Sequence, residues 1–149
     1  MTLKTMRFIA LLLTALALAP ALAHLLELPN KLGLSSDDYL TVQQIYRGWA
    51  LLGFVVVGAL LSNLILAIRL RKKSKAFVLT LTAFLCIVGT QVVFWTFTYP
   101  ANAATDNWTM LPVAWQQLRT QWEYSHAGSA VLNLAAFVTL TLSVLADDA

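Results

Sequence analysis

Four long apolar stretches constrain the fold of this chain more than any other feature. They cover residues 8–27, 48–70, 76–99 and 127–145. An apolar stretch of about 18 or more residues is long enough to cross the hydrocarbon core of a bilayer as a helix. Because a backbone in lipid must satisfy its own hydrogen bonds, each stretch is predicted to be a transmembrane helix. The 149 residues are therefore predicted to form one integral membrane domain of the all-α class, an antiparallel four-helix transmembrane bundle.

The composition supports a membrane protein and excludes other classes. Hydrophobic residues make up 59% of the chain and charged residues 11%, which excludes a soluble globule and a disordered chain. The basic residues flank the apolar stretches instead of forming a solvated patch, so we expect contact with membrane lipid and no nucleic-acid partner. The single cysteine, Cys86, cannot form an intrachain disulfide.

The basic residues also predict the orientation in the membrane. Seven of them lie before the first span or between the second and third, and three lie in the other two connections. The three are Lys31, Arg47 and Arg119. Because loops rich in Lys and Arg stay in the cytoplasm, both termini are expected there. Residues 28–47 and 100–124 would then face outward.

The first span has a second interpretation. Two basic residues, an apolar stretch and the sequence Ala21-Leu22-Ala23 resemble the three parts of a cleavable signal peptide. Cleavage after Ala23 would make His24 the new N-terminus. We favour the uncleaved helix because apolar residues continue through Leu26.

The connections contain further structural signals. Residues 37–49 are predicted to form a short helix with Ser35 or Ser36 as its cap, and residues 100–111 to be unstructured. The last helix is predicted to start near Pro112 and run to Leu145. Its length would be about 50 Å, so its first turns form an extended outer part beyond the hydrocarbon core of about 30 Å. The polar residues Asn63, Gln91 and Asn133 within the spans are expected to form hydrogen bonds between helices.

Two short patterns mark the candidate functional site. His24 and Glu27 end the first span, and Glu123 and His126 open the fourth, each pair at i, i+3 spacing on one helix face. If the two helices are neighbours, the histidines lie level with each other, and so do the carboxylates. Three interpretations remain open: one transition metal ion (Fe, Cu, Mn or Zn) held by these four residues, metal-free acid–base chemistry, or interfacial groups without function. Without a metal, direct or water-bridged contacts between His and Glu are expected.

Residues near these pairs suggest a lined cavity. Trp115, Arg119 and Trp122 follow the helical stripe of Glu123 and His126. Arg119 is expected either to pair with Glu123 or to contact substrate. Aromatic residues of the outer segments, including Trp95 and Trp108, collect at bilayer interfaces in any case, but an aromatic substrate pocket would need the same residues.

Three segments carry a family resemblance. HLLELPNKL from His24, FWTFTYPANAATDNWT from Phe94 and WQQLRTQWEYSHA from Trp115 resemble the anthrone oxygenase-like family of small four-span membrane proteins, in its compact bacterial branch. The resemblance implies an oxygenase in a bacterial inner (plasma) membrane. Fungal members convert anthrones to anthraquinones with dioxygen and use no recognised organic cofactor. The matching positions are His24, Glu27, Asn102, Trp108, Arg119, Trp122, Glu123 and His126.

The sequence thus favours one function and leaves one alternative. We expect a membrane oxidoreductase, an oxygenase for a small apolar aromatic substrate that resembles an anthrone or a phenol. Its catalytic residues would be His24, Glu27, Glu123 and His126. The substrate would be bound by Trp95, Asn102, Trp108, Arg119 and Trp122. The cofactor would be either none or the one metal ion. The alternative is a non-enzymatic membrane subunit or ligand- or metal-binding protein, and a homo-oligomer is open in both cases.

Overall fold

The computed structural model describes residues 1–146, and this part contains helices and no strands. The α-helices are α1 (Leu3–Lys31), α2 (Ser36–Gln43), α3 (Leu52–Leu70), α4 (Ser74–Val93), α5 (Tyr99–Ala104) and α6 (Trp115–Leu145). Four helical segments are long and apolar enough to cross a membrane: Leu3–Lys31, Trp49–Leu70, Ser74–Ala104 and Trp115–Leu145. The all-α four-helix bundle predicted from the apolar stretches is confirmed, and the protein is an integral membrane protein.

The four long helices pack as a square. Helix α1 packs against α3 and α6, and α4 packs against the same two helices. Alanines without solvent exposure lie along the bundle axis, among them Ala10, Ala59, Ala83 and Ala136. Such small residues allow close approach of helix backbones in membranes. The packing makes α1 and α6 neighbours, so the two His/Glu pairs belong to adjacent helices.

Helix α1 is longer than predicted. It continues past Glu27 and through Pro29 to Lys31. The span is predicted to end at Glu27 because the apolar stretch ends there, and the helix continues although Pro29 lacks the N–H group for one backbone hydrogen bond. The ladder resumes beyond the proline, where the backbone N–H of Leu32 donates to the carbonyl of Leu28. The extra turn adds Lys31 to the helix face of His24 and Glu27.

The segment between α4 and α6 also differs from the prediction. Its first part is helical: a π-helical turn (Phe94–Thr98) joins α4 to α5, so the expectation of an unstructured segment from residue 100 is wrong there. Pro100 occupies the first turn of α5, where its missing N–H costs nothing. Asp106, Asn107 and Trp108 then adopt left-handed φ angles of 47°, 54° and 62°. Helix α6 begins at Trp115.

The connection between α1 and α3 is folded. Ser35 caps α2 by accepting a hydrogen bond from the backbone N–H of Asp38. The helix ends at Gln43 and not near residue 49, because 3₁₀ turns follow over Gln44–Tyr46 and Trp49–Leu51. Gly48 separates the turns with a φ of 89°, a conformation that favours glycine.

The polar residues within the spans form two kinds of hydrogen bond, between helices and within one helix. Asn63 donates to the Thr14 hydroxyl at 3.0 Å, so the predicted hydrogen bond between helices is present. Asn133 instead donates to the Ser129 carbonyl of its own helix at 3.0 Å. Gln91 donates to its neighbour Thr90 at 3.2 Å. The amide N–H groups of these two side chains therefore donate within their own helix and not between helices.

Candidate functional site

A polar cluster lies where α1 ends and α6 begins, with Lys31 at its centre. We call it the Lys31 cluster; its members are Lys31, His24, Glu27, Tyr39, Tyr46, Glu123 and His126. The Nζ of Lys31 lies 3.0 Å from Glu123 Oε2 and 3.4 Å from Glu27 Oε2. Lys31 is 3% exposed and Glu123 is fully buried. A buried ion pair of this kind is strongly destabilised when either partner is removed.

The two histidines stack on each other. The ring centroids of His24 and His126 are 4.1 Å apart, with 26° between the ring planes. The indole of Trp122 contacts both rings, with centroid distances of 5.1 Å to His24 and 4.2 Å to His126. Tyr46 and Trp49 contact the His24 ring from the α1–α3 connection. The structure therefore brings together the histidines of both predicted pairs inside an aromatic enclosure.

The carboxylates reach Lys31 and two tyrosines. Tyr39 donates its hydroxyl to Glu123 Oε1 at 2.9 Å, and Tyr46 donates to Glu27. The carboxylates therefore contact Lys31 and the tyrosines directly, and the expectation of direct or water-bridged contacts between His and Glu stays a prediction. Lys31 lies between them, with its Nζ 3.5 Å from His24 Nδ1. The lysine takes this place because α1 does not end at Glu27.

The cluster does not fit the predicted metal site. Within residues 1–146, no three or more His, Cys, Asp and Glu side chains are grouped so that they could hold a metal ion. His24, Glu27, Glu123 and His126 are not arranged as a common ligand set, because the ammonium of Lys31 lies between the carboxylates and His24. A divalent ion at the same position would be repelled by this charge.

Asn102 orders two tryptophans beside the cluster. Its Oδ1 accepts hydrogen bonds from the indole N–H of Trp122 at 2.7 Å and of Trp108 at 3.1 Å. Both indoles are almost fully buried, with exposures of 4% and 2%. The side-chain oxygen of Asn102, a predicted substrate-binding residue, thus holds Trp108 and Trp122 in place.

We expect Asn102→Leu to destabilise the protein by about 1–3 kcal/mol for each indole N–H left without an acceptor. The tryptophan fluorescence should also change, because Trp108 and Trp122 lose their common anchor. Thermal unfolding in detergent measures the first effect and emission spectra the second. Asn30→Leu, at an exposed asparagine, is the matched control. Equal melting temperatures for the two variants would contradict this role of Asn102.

Arg119 connects α6 to the segment that follows α1. Its guanidinium donates to the carbonyl of Leu34 at 2.9 Å and lies 4.7 Å from the ring centroid of Trp115. Glu123 has Lys31 as its cation, so the predicted salt bridge from Arg119 is replaced by this backbone contact. Arg119 borders the cluster through Tyr39, whose ring centroid is 5.4 Å from the guanidinium carbon.

Trp95 lies apart from the cluster. Its side chain is 61% exposed and contacts the rings of Phe94 and Tyr99. An exposed indole among aromatic neighbours is typical of the bilayer interface. Of the predicted substrate-binding residues, Trp108, Arg119 and Trp122 lie beside the Lys31 cluster, whereas Trp95 does not.

Three members of the cluster were not singled out from the sequence. Lys31 follows Glu27 by four residues and His24 by seven, a spacing that places all three on one helix face. Tyr39 and Tyr46 are also seven residues apart in the α1–α3 connection. Both spacings are visible in the sequence. They indicate a common cluster only if the helix continues through Pro29 and the α1–α3 connection folds back over it.

The two tyrosines are held in their neutral form. Burial raises the pKa of Tyr39 well above its ordinary value, and the negative charge of Glu123 raises it further. Burial also raises the pKa of Tyr46, and the hydrogen bond to Glu27 and the negative charge of Glu27 raise it further. Both effects have the same cause, since a phenolate would lie in an apolar setting beside a carboxylate.

An alkaline titration should detect these shifts. Tyr39 and Tyr46 should stay neutral in the folded protein above the usual tyrosine pKa of about 10. Because their folded pKa values are raised, their contribution to stability is complete below about 10 and is lost as the pH rises toward the folded values. Ultraviolet absorbance measures the ionisation, and replacement of both residues by phenylalanine should remove the late-titrating portion. Ionisation of Tyr39 and Tyr46 near pH 10 without unfolding would contradict the arrangement.

A shallow cavity of about 320 Å³ borders this end of the bundle. It is lined by Leu40, Thr41, Gln44, Arg47, Trp108 and Thr109. Trp108 separates it from the cluster, because the same indole contacts Tyr39 and Trp122 at centroid distances of 5.0 and 5.9 Å. A φ of 62° is an outlier for so bulky a residue, and strain of this kind concentrates at functional sites.

Fold and site together define a class: an integral membrane four-helix bundle with a buried charged cluster at one end. Comparisons with protein-family models, with curated proteins and with solved structures found no match to this chain.

Proposed function

We propose that this protein is a membrane oxidoreductase, an oxygenase that acts on a small apolar aromatic molecule of the anthrone or phenol type. The observation that carries the proposal is the buried Lys31–Glu123 ion pair beside the stacked His24 and His126 rings. Ionisable groups inside a membrane protein are costly and mark functional sites by default. The resemblance to the anthrone oxygenase-like family supplies the reaction class.

The proposed chemistry needs a base and dioxygen. A histidine of the stacked pair takes a proton from the acidic CH₂ group of the substrate, and the resulting carbanion reacts with dioxygen to form a hydroperoxide anion. This anion recovers the proton from the histidine and then loses water to form the ketone. The balance is one CH₂ group and one O₂ converted into one C=O group and one H₂O, with the histidine regenerated.

The surrounding residues support such a reaction. The Tyr46, Trp49 and Trp122 rings enclose His24, and flat aromatic walls suit a flat aromatic substrate. The ammonium of Lys31 contributes positive charge beside the site where the carbanion and the hydroperoxide anion develop. Glu27 has a side-chain exposure of 39%, so this edge of the cluster is open to substrate.

Oxygen uptake tests the proposal. The purified protein is reconstituted in lipid nanodiscs, an anthrone is added and the consumption of dioxygen is recorded against protein-free nanodiscs. We expect uptake above this blank, with formation of the corresponding ketone. Asp37→Asn, at an exposed carboxylate of α2, is the control variant and should retain full uptake. Uptake equal to the blank for anthrone and phenol substrates alike would refute the proposal.

A second candidate function follows from the fully buried side of the cluster, opposite the exposed edge at Glu27. Tyr39 and Glu123 have no exposure at all; Tyr39 donates to Glu123 Oε1, and Glu123 Oε2 forms the ion pair with Lys31. Such a cluster suits a non-enzymatic membrane subunit or a ligand-binding protein, in which it fixes the α1–α6 interface. Binding of the aromatic compound without oxygen consumption, or neither activity, would favour this alternative.

We further propose that both termini are cytoplasmic, in a bacterial inner membrane, so that the Lys31 cluster faces outward. The basis of the orientation is the excess of Lys and Arg at the start of α1 and around the connection between α3 and α4, and the bacterial membrane is what the family resemblance implies. Reporter fusions after Lys75 and after Asn107 test the orientation: the first should report the cytoplasm and the second the outside. The opposite pattern would reverse the topology.

Light scattering of the detergent-solubilised protein would determine whether the chain forms a homo-oligomer.

A further inference from the structure

We propose that the ammonium of Lys31 is the resident cation of this site, in the place a metal ion would take, and that it fixes the tautomer of His24. The proposal does not depend on which reaction the protein catalyses. Four acceptor atoms from four residues surround the Lys31 Nζ. They are Glu123 Oε2 at 3.0 Å, Tyr46 Oη at 3.0 Å, Glu27 Oε2 at 3.4 Å and His24 Nδ1 at 3.5 Å.

The groups around the ammonium are those of a cation-binding site. Two carboxylates supply negative charge, and the rings of Tyr46 and Trp122 each have their centroids 5.0 Å from Nζ. An aromatic face within about 6 Å attracts a cation, and the attraction strengthens where water is excluded. Lys31 is only 3% exposed, so its ammonium is shielded from water and from ions in solution.

The position of Lys31 on α1 explains how it reaches this site. Side chains of a helix lean toward its N-terminus, so a long side chain covers residues three or four positions earlier. Lys31 therefore extends back over Glu27 and toward His24, one and two turns before it. The continuation of α1 through Pro29 is what makes this reach possible.

The tautomer of His24 follows from the chemistry of the ammonium. An ammonium group has three donors and no acceptor, so a nitrogen in contact with it can accept from it but cannot donate to it. His24 Nδ1 then presents its lone pair to Lys31, and the ring proton of neutral His24 lies on Nε2. Under the proposed function, His24 becomes a hydrogen-bond donor through Nε2, and His126 is the imidazole with a lone pair available as base.

Nitrogen-15 NMR of histidine-labelled protein tests the tautomer directly. The chain has two histidines, so the His126→Gln variant leaves the signals of His24 alone. In nanodiscs, its Nε2 should show the chemical shift of a protonated nitrogen and its Nδ1 that of an unprotonated one. Lys31→Met should shift the two values toward each other, Lys31→Arg should retain the original pattern, and Lys75→Met, at an exposed lysine, should change nothing.

A second measurement keeps the proposal testable if Lys31→Met does not fold. Wild-type protein is expressed in medium containing iron, zinc, manganese and copper, and its metal content is measured after purification. We expect well below one metal ion per chain. The proposal would be overturned by about one ion per chain that is lost in His24→Gln, or by a His24 proton on Nδ1 in the protein that retains Lys31. Neither measurement depends on turnover, so both are independent of the oxygenase proposal.

Discussion

Replacing Lys31 with methionine should destabilise the protein by about 3–5 kcal/mol, because the fully buried carboxylate of Glu123 loses its cation. Methionine preserves most of the side-chain volume, so the effect reports charge and not a cavity. Thermal or denaturant unfolding in a mild detergent measures it. Lys75→Met removes an exposed lysine and should leave stability nearly unchanged.

A double variant separates the ion pair from other effects of the substitution. Lys31→Met combined with Glu123→Leu removes both charges, and apolar replacements of buried ion pairs are often neutral or stabilising. The double variant should therefore recover much of the stability that Lys31→Met loses. A Lys31→Met protein as stable as Lys75→Met, or a double variant with the sum of two large losses, would show that the ion pair is not coupled as the structure indicates.

The second large effect concerns activity. His126→Gln should lower the rate of oxygen consumption by about 10²–10⁴-fold, the usual contribution of a general base. Glutamine is polar and similar in size, and it cannot take up the substrate proton. The rate is measured in nanodiscs at saturating substrate.

Tyr124→Phe provides the matched control for this variant. Tyr124 lies on α6 next to Glu123 and is 58% exposed, so its hydroxyl is outside the cluster. The control should retain the wild-type rate and melting temperature. A His126→Gln protein that unfolds normally and turns over as fast as Tyr124→Phe would remove His126 from the mechanism.

The architecture was predictable because its main determinants are local. Each apolar stretch is long enough to specify a spanning helix by itself, and the bundle then buries alanines such as Ala59 and Ala83 against neighbouring helices. The mirrored pairs of His24 with Glu27 and Glu123 with His126 were visible for the same reason, since i, i+3 spacing is a property of one helix. Their meeting required only that α1 and α6 be adjacent, which the structure shows.

The composition of the cluster was less predictable because it depends on tertiary contacts. The apolar stretch ends near Glu27, so the first span is predicted to end there and Lys31 to lie in the outer connection. The sequence pattern does not show what the short helix of Tyr39 packs against. The hydrogen bond from Tyr39 to Glu123 joins residues that are far apart in the chain. Trp95 lies apart from the cluster, and its role was open in the sequence because an aromatic residue at a span end fits either a pocket or the bilayer interface.

Isotope labelling of dioxygen tests the central claim most directly, that the Lys31 cluster is an oxygenase site. Wild-type protein and the His126→Gln variant are each incubated in nanodiscs with an anthrone under ¹⁸O₂, beside protein-free nanodiscs, and the product ketone is analysed by mass spectrometry. We expect one ¹⁸O atom in the new carbonyl group, formed by the wild-type protein well above the blank and by the variant near it. Product formation by the wild-type protein no faster than the blank, or a carbonyl oxygen derived from water, would contradict the assignment.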